Sequence, residues 1–338
     1  MKQKGLIKYW GGFFLAVASS LALAKPLPSP QQWLERMATS AKELTYQGDF
    51  IYHQGGFPET LNVTHYVDGK GLEHERILYL DGVPREMIRK GQKLTFSTYG
   101  KTNTPIEHGM MMPMLGKFAQ NNLDANYELK MVGLDRVAGR DALLIMAIPK
   151  DSYRYSYQLW LDRDSGLLLR SIMMDDKRQK VMEMMQFTRL QVGGVLSKEV
   201  LAAFEKKQEP DAMAPVEKEV AESRKLGWEA SWIPEGFILK SQSSRPSPVS
   251  QQQVDALNFS DGLASFSIFV EPDETRVLSQ ASEHIGALSA VSKVYREGSR
   301  YFNVTVVGDI PLGAAERIAV SVRPVKNTSE PASGVMKK

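Results

Sequence analysis

The sequence predicts a mainly β, α+β protein of two domains. Three observations carry that expectation. At 338 residues the chain is too long for one average domain and fits two. Strand-length apolar runs recur at short, regular intervals, separated by glycine-bearing turns. Near residue 205 the pattern gives way to a charged, proline-bearing stretch without aromatics, which suits an exposed linker.

The densest signal is Tyr153 to Leu190, which reads as three consecutive antiparallel strands joined by Asp162-Arg163-Asp164-Ser165-Gly166 and Asp175-Asp176-Lys177-Arg178. Period-two alternation puts Tyr153, Tyr155, Tyr157, Leu159 and Leu161 on one face, and Arg154, Ser156, Gln158, Trp160 and Asp162 on the other. That second face should be polar if it is wet, yet it collects Trp160, Leu168, Ile172, Met174, Met182 and Met184. Either a helix covers it as ordinary core, or a curved sheet encloses an apolar ligand there, with methionine supplying an adaptable wall.

In chain order, Lys2, Lys4 and Lys8 followed by the apolar Phe13 to Leu23 and Ala22-Leu23-Ala24 form a secretory signal peptide over residues 1–24. The apolar run is too short to span a membrane, and the sequence has no lipobox cysteine. Cleavage removes three lysines and no acid, so the formal charge of +3 falls to about zero and no nucleic-acid partner is expected. The chain has no cysteine, so the exported protein must rest on its core rather than on disulfides.

Ser29-Pro30-Gln31-Gln32 is a helix start with a capping box, and Trp33, Leu34, Met37, Ala38, Ala41 and Leu44 make one apolar stripe. Strands follow at 46–53, 60–67, 73–79, 85–89 and 93–98, a meander rather than βαβ units. Residues 101–125 are irregular and read as a lid or binding loop. Strands resume at 127–132 and 142–148, and the three-stranded run completes a domain of residues 25–204. After a linker at 205–225, a smaller domain at 226–324 opens with Trp228, Trp232 and Phe237. It continues with hairpins 254–270 and 287–307 and a helix at 311–320, and a disordered tail at 325–338 ends the chain.

Chemistry is sparse. There is no nucleophile elbow, phosphate loop, dinucleotide fingerprint or HExxH, and the five histidines are scattered singly, so no enzyme and no cofactor is expected. His108 with Met110, Met111, Met112 and Met114 has a soft-metal reading, Cu(I) on thioethers, but an apolar lining is the weightier one. Arg85, Arg89, Lys90 and Lys93 form a basic cluster placed on a hairpin tip, either a solvated turn or a set of contacts for lipid phosphates. Trp228, Trp232 and Phe237 are candidate partner contacts, or core of the small domain.

Several stretches resemble the RseB/MucB family of periplasmic regulators of the envelope-stress sigma factor. They are Tyr46-Gln47-Gly48-Asp49-Phe50-Ile51-Tyr52, Val137-Ala138-Gly139-Arg140, Leu161 to Leu167, Trp232-Ile233-Pro234-Glu235-Gly236-Phe237, Ser260 to Pro272 and Val307 to Arg317. The resemblance runs from about Trp33 to Pro324. It implies an N-terminal open half-barrel similar to LolA and LolB, with helices plugging its concave side, and a smaller α+β domain. It also implies a non-enzymatic periplasmic protein that binds the periplasmic region of an RseA/MucA-like anti-sigma factor and shields it from the site-one protease. Such a protein lets go on binding lipopolysaccharide or another acyl lipid. On that resemblance Trp160, Ile172, Met174, Met182 and Met184, with Met110 to Met114, become the expected lipid-facing residues. The alternative is a periplasmic lipid or lipoprotein carrier, and whether the protein is a homo-oligomer is open.

Overall fold

The computed structural model describes residues 28–91, 93–98, 123–205, 226–246, 252–273 and 281–325. The leader, the Met110–Met114 cluster, the linker 206–225 and the tail beyond 325 lie outside the described residues.

Helix α1 spans Pro30–Glu43, and its start is the expected one: the Ser29 hydroxyl accepts from the Gln32 amide at 3.2 Å while the Gln32 side chain accepts from the Ser29 amide at 2.8 Å. Ten strands then form one sheet: β1 (Tyr46–His53), β2 (Glu59–Val67), β3 (Glu73–Tyr79), β4 (Arg85–Lys90), β5 (Lys93–Thr98), β6 (Tyr127–Val137), β7 (Arg140–Pro149), β8 (Ser156–Asp162), β9 (Leu168–Asp175) and β10 (Lys180–Val192). Their spatial order is β5-β4-β3-β2-β1-β10-β9-β8-β7-β6, antiparallel throughout. The two meanders meet where β1 pairs with β10, so the sheet is open at β5 and β6.

One face of this sheet is dry. Phe50, Leu61, Val63, Ile77, Ile145, Leu159, Leu161 and Phe187 are all at most 1% exposed, and Leu34, Met37 and Ala41 of α1 join the same cluster. The helix is tied there, with Ser40 donating to the Ser165 carbonyl at 2.6 Å and the Tyr46 hydroxyl donating to the Ala41 carbonyl at 3.3 Å. The sequence does not announce α2 (Lys198–Glu205). It lies on the opposite face, where Phe204 meets Tyr66 at 5.1 Å and His74 at 6.0 Å, both edge-on.

The smaller domain has a six-stranded antiparallel sheet in the order β12-β13-β14-β17-β16-β15. Its strands are β12 (Ile238–Pro246), β13 (Gln253–Ser260), β14 (Ser265–Pro272), β15 (Ala281–Ile285), β16 (Leu288–Glu297) and β17 (Arg300–Gly308). Helix α3 (Leu312–Ser321) buries Ala314, Ala315, Ile318 and Ala319 in that domain's core, and β11 (Trp228–Ala230) pairs with β18 (Val322–Pro324). Among the described residues no helix is long and apolar enough to cross a membrane.

Candidate functional site

The second face of the large sheet carries the apolar row singled out from the sequence. Cross-strand pairing aligns Leu144 with Trp160 and Arg170, Met146 with Gln158, Ile172 and Met184, and Ser156 with Met174. Facing pairs share a side, so Trp160, Ile172, Met174 and Met184 are brought together. Met182 is not part of that row: the ladder slips between Val181 and Glu183, and Met182 falls in the irregularity, fully buried in the main core. Trp160 is 5% exposed, capped by the Arg170 guanidinium 4.4 Å from its ring, and its Nε1 donates to Asp135 at 2.7 Å. Ile172 is buried, whereas Leu144, Met146, Met174 and Met184 are half-buried. Toward β1 and β2 the same face turns polar, with Asp49 accepting from Asn62 at 2.6 Å and from Arg189 at 2.5 Å. Among the described residues, α2 covers this face over β2 and β3, away from the apolar row.

Arg85, Arg89 and Lys90 of the basic cluster lie along β4, and Lys93 opens β5 directly opposite Lys90. Arg85 pairs opposite Tyr79 and Lys90 opposite His74, five residues apart, so the two lie roughly 17 Å from each other on an extended strand. Arg85 forms an ion pair with Glu59 and lies over the Tyr79 ring at 4.0 Å. Arg89 binds Glu73 at 2.7 Å and Glu75 at 3.4 Å. Lys90 is half-buried and Lys93 is exposed at the far turn.

The three candidate partner contacts lie in or beside the core of the small domain. Phe237 is 4% exposed and rests on Phe266 at 5.1 Å. Half-buried Trp228 meets Phe302 at 4.8 Å, and half-buried Trp232 meets Tyr153 at 5.0 Å with the Arg317 guanidinium 3.9 Å over its ring.

Tyr153 belongs to the large domain, which leads to what the sequence did not reveal. β8 begins at Ser156 rather than Tyr153, and the irregular lead-in frees Tyr153 and Arg154 from the expected alternation to face the small domain. Arg154 and Asp261 are both fully buried side chains, joined through Arg154 Nε at 2.6 Å. Arg154 also reaches Asp151 and the Glu235 carbonyl, and stands 4.7 Å over the Phe237 ring. Asp261 accepts further from the Tyr127 hydroxyl at 3.0 Å and from the Leu263 and Ala264 amides at 2.9 and 2.8 Å. A buried ion pair of this kind is held by its extra hydrogen bonds, which offset the desolvation of both charges. Burial first, and then the Asp261 carboxylate, push the Tyr127 hydroxyl far above its ordinary range, so it stays a neutral donor. The only local sign in the sequence is an aspartate in a Ser-Asp-Gly turn, and turn aspartates are common.

Around this pair the domains make close contact. Gly55 and Gly286 both have positive φ, and a Cβ on Gly55 would fall 2.5 Å from the Gly286 nitrogen. Tyr155 and His284 share a hydrogen bond of 3.2 Å. Beside the seam, Tyr153, Arg154, Tyr155, Lys177, Arg178 and Leu312 line part of a cleft of ≈ 550 Å³, a volume in the range of ordinary ligand sites. Among the described residues no group of three or more histidines and carboxylates is placed to hold a metal.

Two family models cover the chain almost end to end: the MucB/RseB N-terminal domain over residues 29–208 and the MucB/RseB C-terminal domain over residues 222–323. The chain belongs to the MucB/RseB family. It is 37% identical to the sigma factor AlgU regulatory protein MucB of Pseudomonas aeruginosa over 96% of this chain and 98% of that protein. It is 27% identical to the sigma-E factor regulatory protein RseB of Haemophilus influenzae over 90% and 94%. Among solved structures it resembles the Pseudomonas aeruginosa MucA/MucB complex, with a TM-score of 0.71 and 33% identity over 88% of this chain and 99% of that one. MucB in complex with MucA(peri) matches at 0.70 and 32%, over 88% and 100%. The MucB/RseB relatives are thus named as regulators of a sigma factor, and the open antiparallel sheet with a smaller second domain is the fold of that family.

Proposed function

We propose that this chain is a periplasmic negative regulator of a sigma-E-type envelope-stress response. In this reading it binds the periplasmic region of an RseA/MucA-like anti-sigma factor through both domains, protects it from the site-one protease, and releases it when lipopolysaccharide or another acyl lipid binds the large domain. The observation that carries the reading is that both family domains are present and fastened to each other by the buried Arg154–Asp261 pair, so one partner can meet both at once. The row of buried Trp160 and Ile172 with half-buried Met174 and Met184 supports a lipid-facing role, because its thioethers adapt to acyl chains and no described helix lies over it. Met110, Met111, Met112 and Met114 are proposed to add to that apolar surface, Arg85, Arg89, Lys90 and Lys93 to meet lipid phosphates, and Trp228, Trp232 and Phe237 to support the partner contact. Lipid can weaken partner binding only if it prefers the partner-free form, so the two ligands must oppose each other reciprocally.

The test is to measure the affinity of the protein for the periplasmic segment of an RseA/MucA-like anti-sigma factor with and without lipopolysaccharide, alongside cleavage of that segment by the site-one protease. Binding that slows cleavage and weakens with lipopolysaccharide supports the reading. No binding to the segment sinks it, and unchanged affinity removes the sensing half. Capture of lipoproteins from an envelope extract in place of an inner-membrane partner would favour a carrier.

A further inference from the structure

Two hairpin ends carry the same glycine–apolar–proline tripeptide: Gly56-Phe57-Pro58 between β1 and β2, and Gly82-Val83-Pro84 between β3 and β4. The antiparallel order brings both to one end of the large sheet, side by side. They are laced together, with the Leu80 amide donating to the Thr60 carbonyl at 2.9 Å and the Thr60 amide donating to Asp81 at 2.6 Å. On these ends Phe57 is 95% exposed, Leu80 49% and Val83 47%.

Single exposed apolar residues are ordinary on protein surfaces. Two adjacent tips with the same pattern are less so, since a turn that only reverses the chain would take polar residues. Proline fixes its own φ and drives the residue before it to extended backbone, so Phe57 and Val83 are held out on stiff supports. The next hairpin end along the sheet, between β9 and β10, carries exposed Lys177, Arg178 and Lys180 against Asp175 and Asp176, one positive charge in excess. The acids nearest the apolar tips are engaged, Glu59 with Arg85 and Asp81 with the Thr60 amide.

We propose that these three hairpin ends dock the protein on a phospholipid bilayer. Phe57, Leu80 and Val83 enter the boundary between headgroups and acyl chains, and Lys177, Arg178 and Lys180 rest against anionic headgroups. A Cβ added at Gly56 or Gly82 would meet nothing within 4 Å, so the tips carrying Phe57 and Val83 stand clear of the rest of the chain, although Gly55 at the base of the first abuts Gly286 of the small domain. Docking of this kind does not depend on the anti-sigma reading and holds whether or not a lipid releases the partner.

The test is flotation of the exported protein, lacking the apolar leader, with vesicles of phosphatidylethanolamine and phosphatidylglycerol. The double variant Phe57→Ser, Val83→Ser should lower the vesicle-bound to free ratio by about a hundredfold, from two apolar side chains returned to water, while the thermal midpoint stays put because both residues are exposed. Lys177→Glu with Lys180→Glu should weaken flotation on the anionic vesicles and leave it unchanged on phosphatidylethanolamine–phosphatidylcholine vesicles. Wild-type protein that fails to float, or a Phe57→Ser, Val83→Ser variant that floats as wild type does, overturns the proposal.

Discussion

The two faces of the ten-stranded sheet are built from the same strands but do different work. On one, Tyr157, Leu159 and Leu161 pack with Phe50, Phe187 and the stripe of α1, and almost nothing is left to solvent. On the other, Trp160, Ile172, Met174 and Met184 form an apolar patch bounded by Arg170 and Gln158 on its own strands and by the polar Asp49–Asn62–Arg189 set further along. Hydrophobic composition alone therefore does not distinguish the closed face from the one on which Met174 and Met184 keep partial exposure. The degree of closure does.

The largest effect that tests this contrast is Leu159→Ala, which should cost about 3 kcal/mol by opening a cavity in the closed face, read as a fall in the thermal or urea midpoint. Asp261→Asn comes next. It removes the fully buried carboxylate from Arg154, leaving Asp151 as the guanidinium's charged partner, and should cost about 2 kcal/mol, less than complete removal of a partner from such a pair. Replacing both residues by leucine should recover part of that loss, which separates the desolvation of an orphaned charge from the worth of the pair. On the open face, Met184→Ala should cost only about 1 kcal/mol, because the side chain is half-buried, while weakening lipopolysaccharide binding. A cost as large as that of Leu159→Ala, with lipid binding unchanged, would make the second face ordinary core and dissolve the comparison.

Smaller again is the acid response. Burial acts to raise the Asp162 carboxyl, but donors from Arg140 and Ser165 outweigh it and hold the group below the usual carboxylate range. A folded value below the unfolded one means that Asp162 stabilises the protein above about pH 4, and that this contribution is lost as pH falls through the folded value. Arg140→Gln should therefore flatten the decline in stability below pH 4, measured by urea titration at stepped pH.

Much of the meander was legible because its strands alternate and its turns contain glycine. The expected boundaries of β1, β3 and β5 are those observed. β6 runs on to Val137, past the expected end at residue 132, because it is an edge strand exposed on both sides beyond a bulge at Val132, which erases the alternation. β12 was not expected: its Ser241, Ser243 and Ser244 resemble a loop, and an edge strand can carry them because one side of its ladder is free. Of the four basic residues, Lys90 and Lys93 do face each other across the β4–β5 turn, whereas extension sets Arg85 apart and neighbouring strands supply carboxylates to Arg85 and Arg89.

By itself the sequence determined the local structure that short-range chemistry dictates: the capping box of α1, most of the turns, the period of strands such as β1, β3 and β5, and the family to which the motifs belong. Only the tertiary structure decided which apolar face closes under α1 and that Tyr153 and Arg154 leave the strand pattern to meet the small domain. It also decided that Asp261, 107 residues further on, receives the buried guanidinium. The physical reason is that an ion pair with both charges removed from water depends on desolvation and on donors gathered from segments distant in the chain, and neither leaves a trace in the spacing of residues.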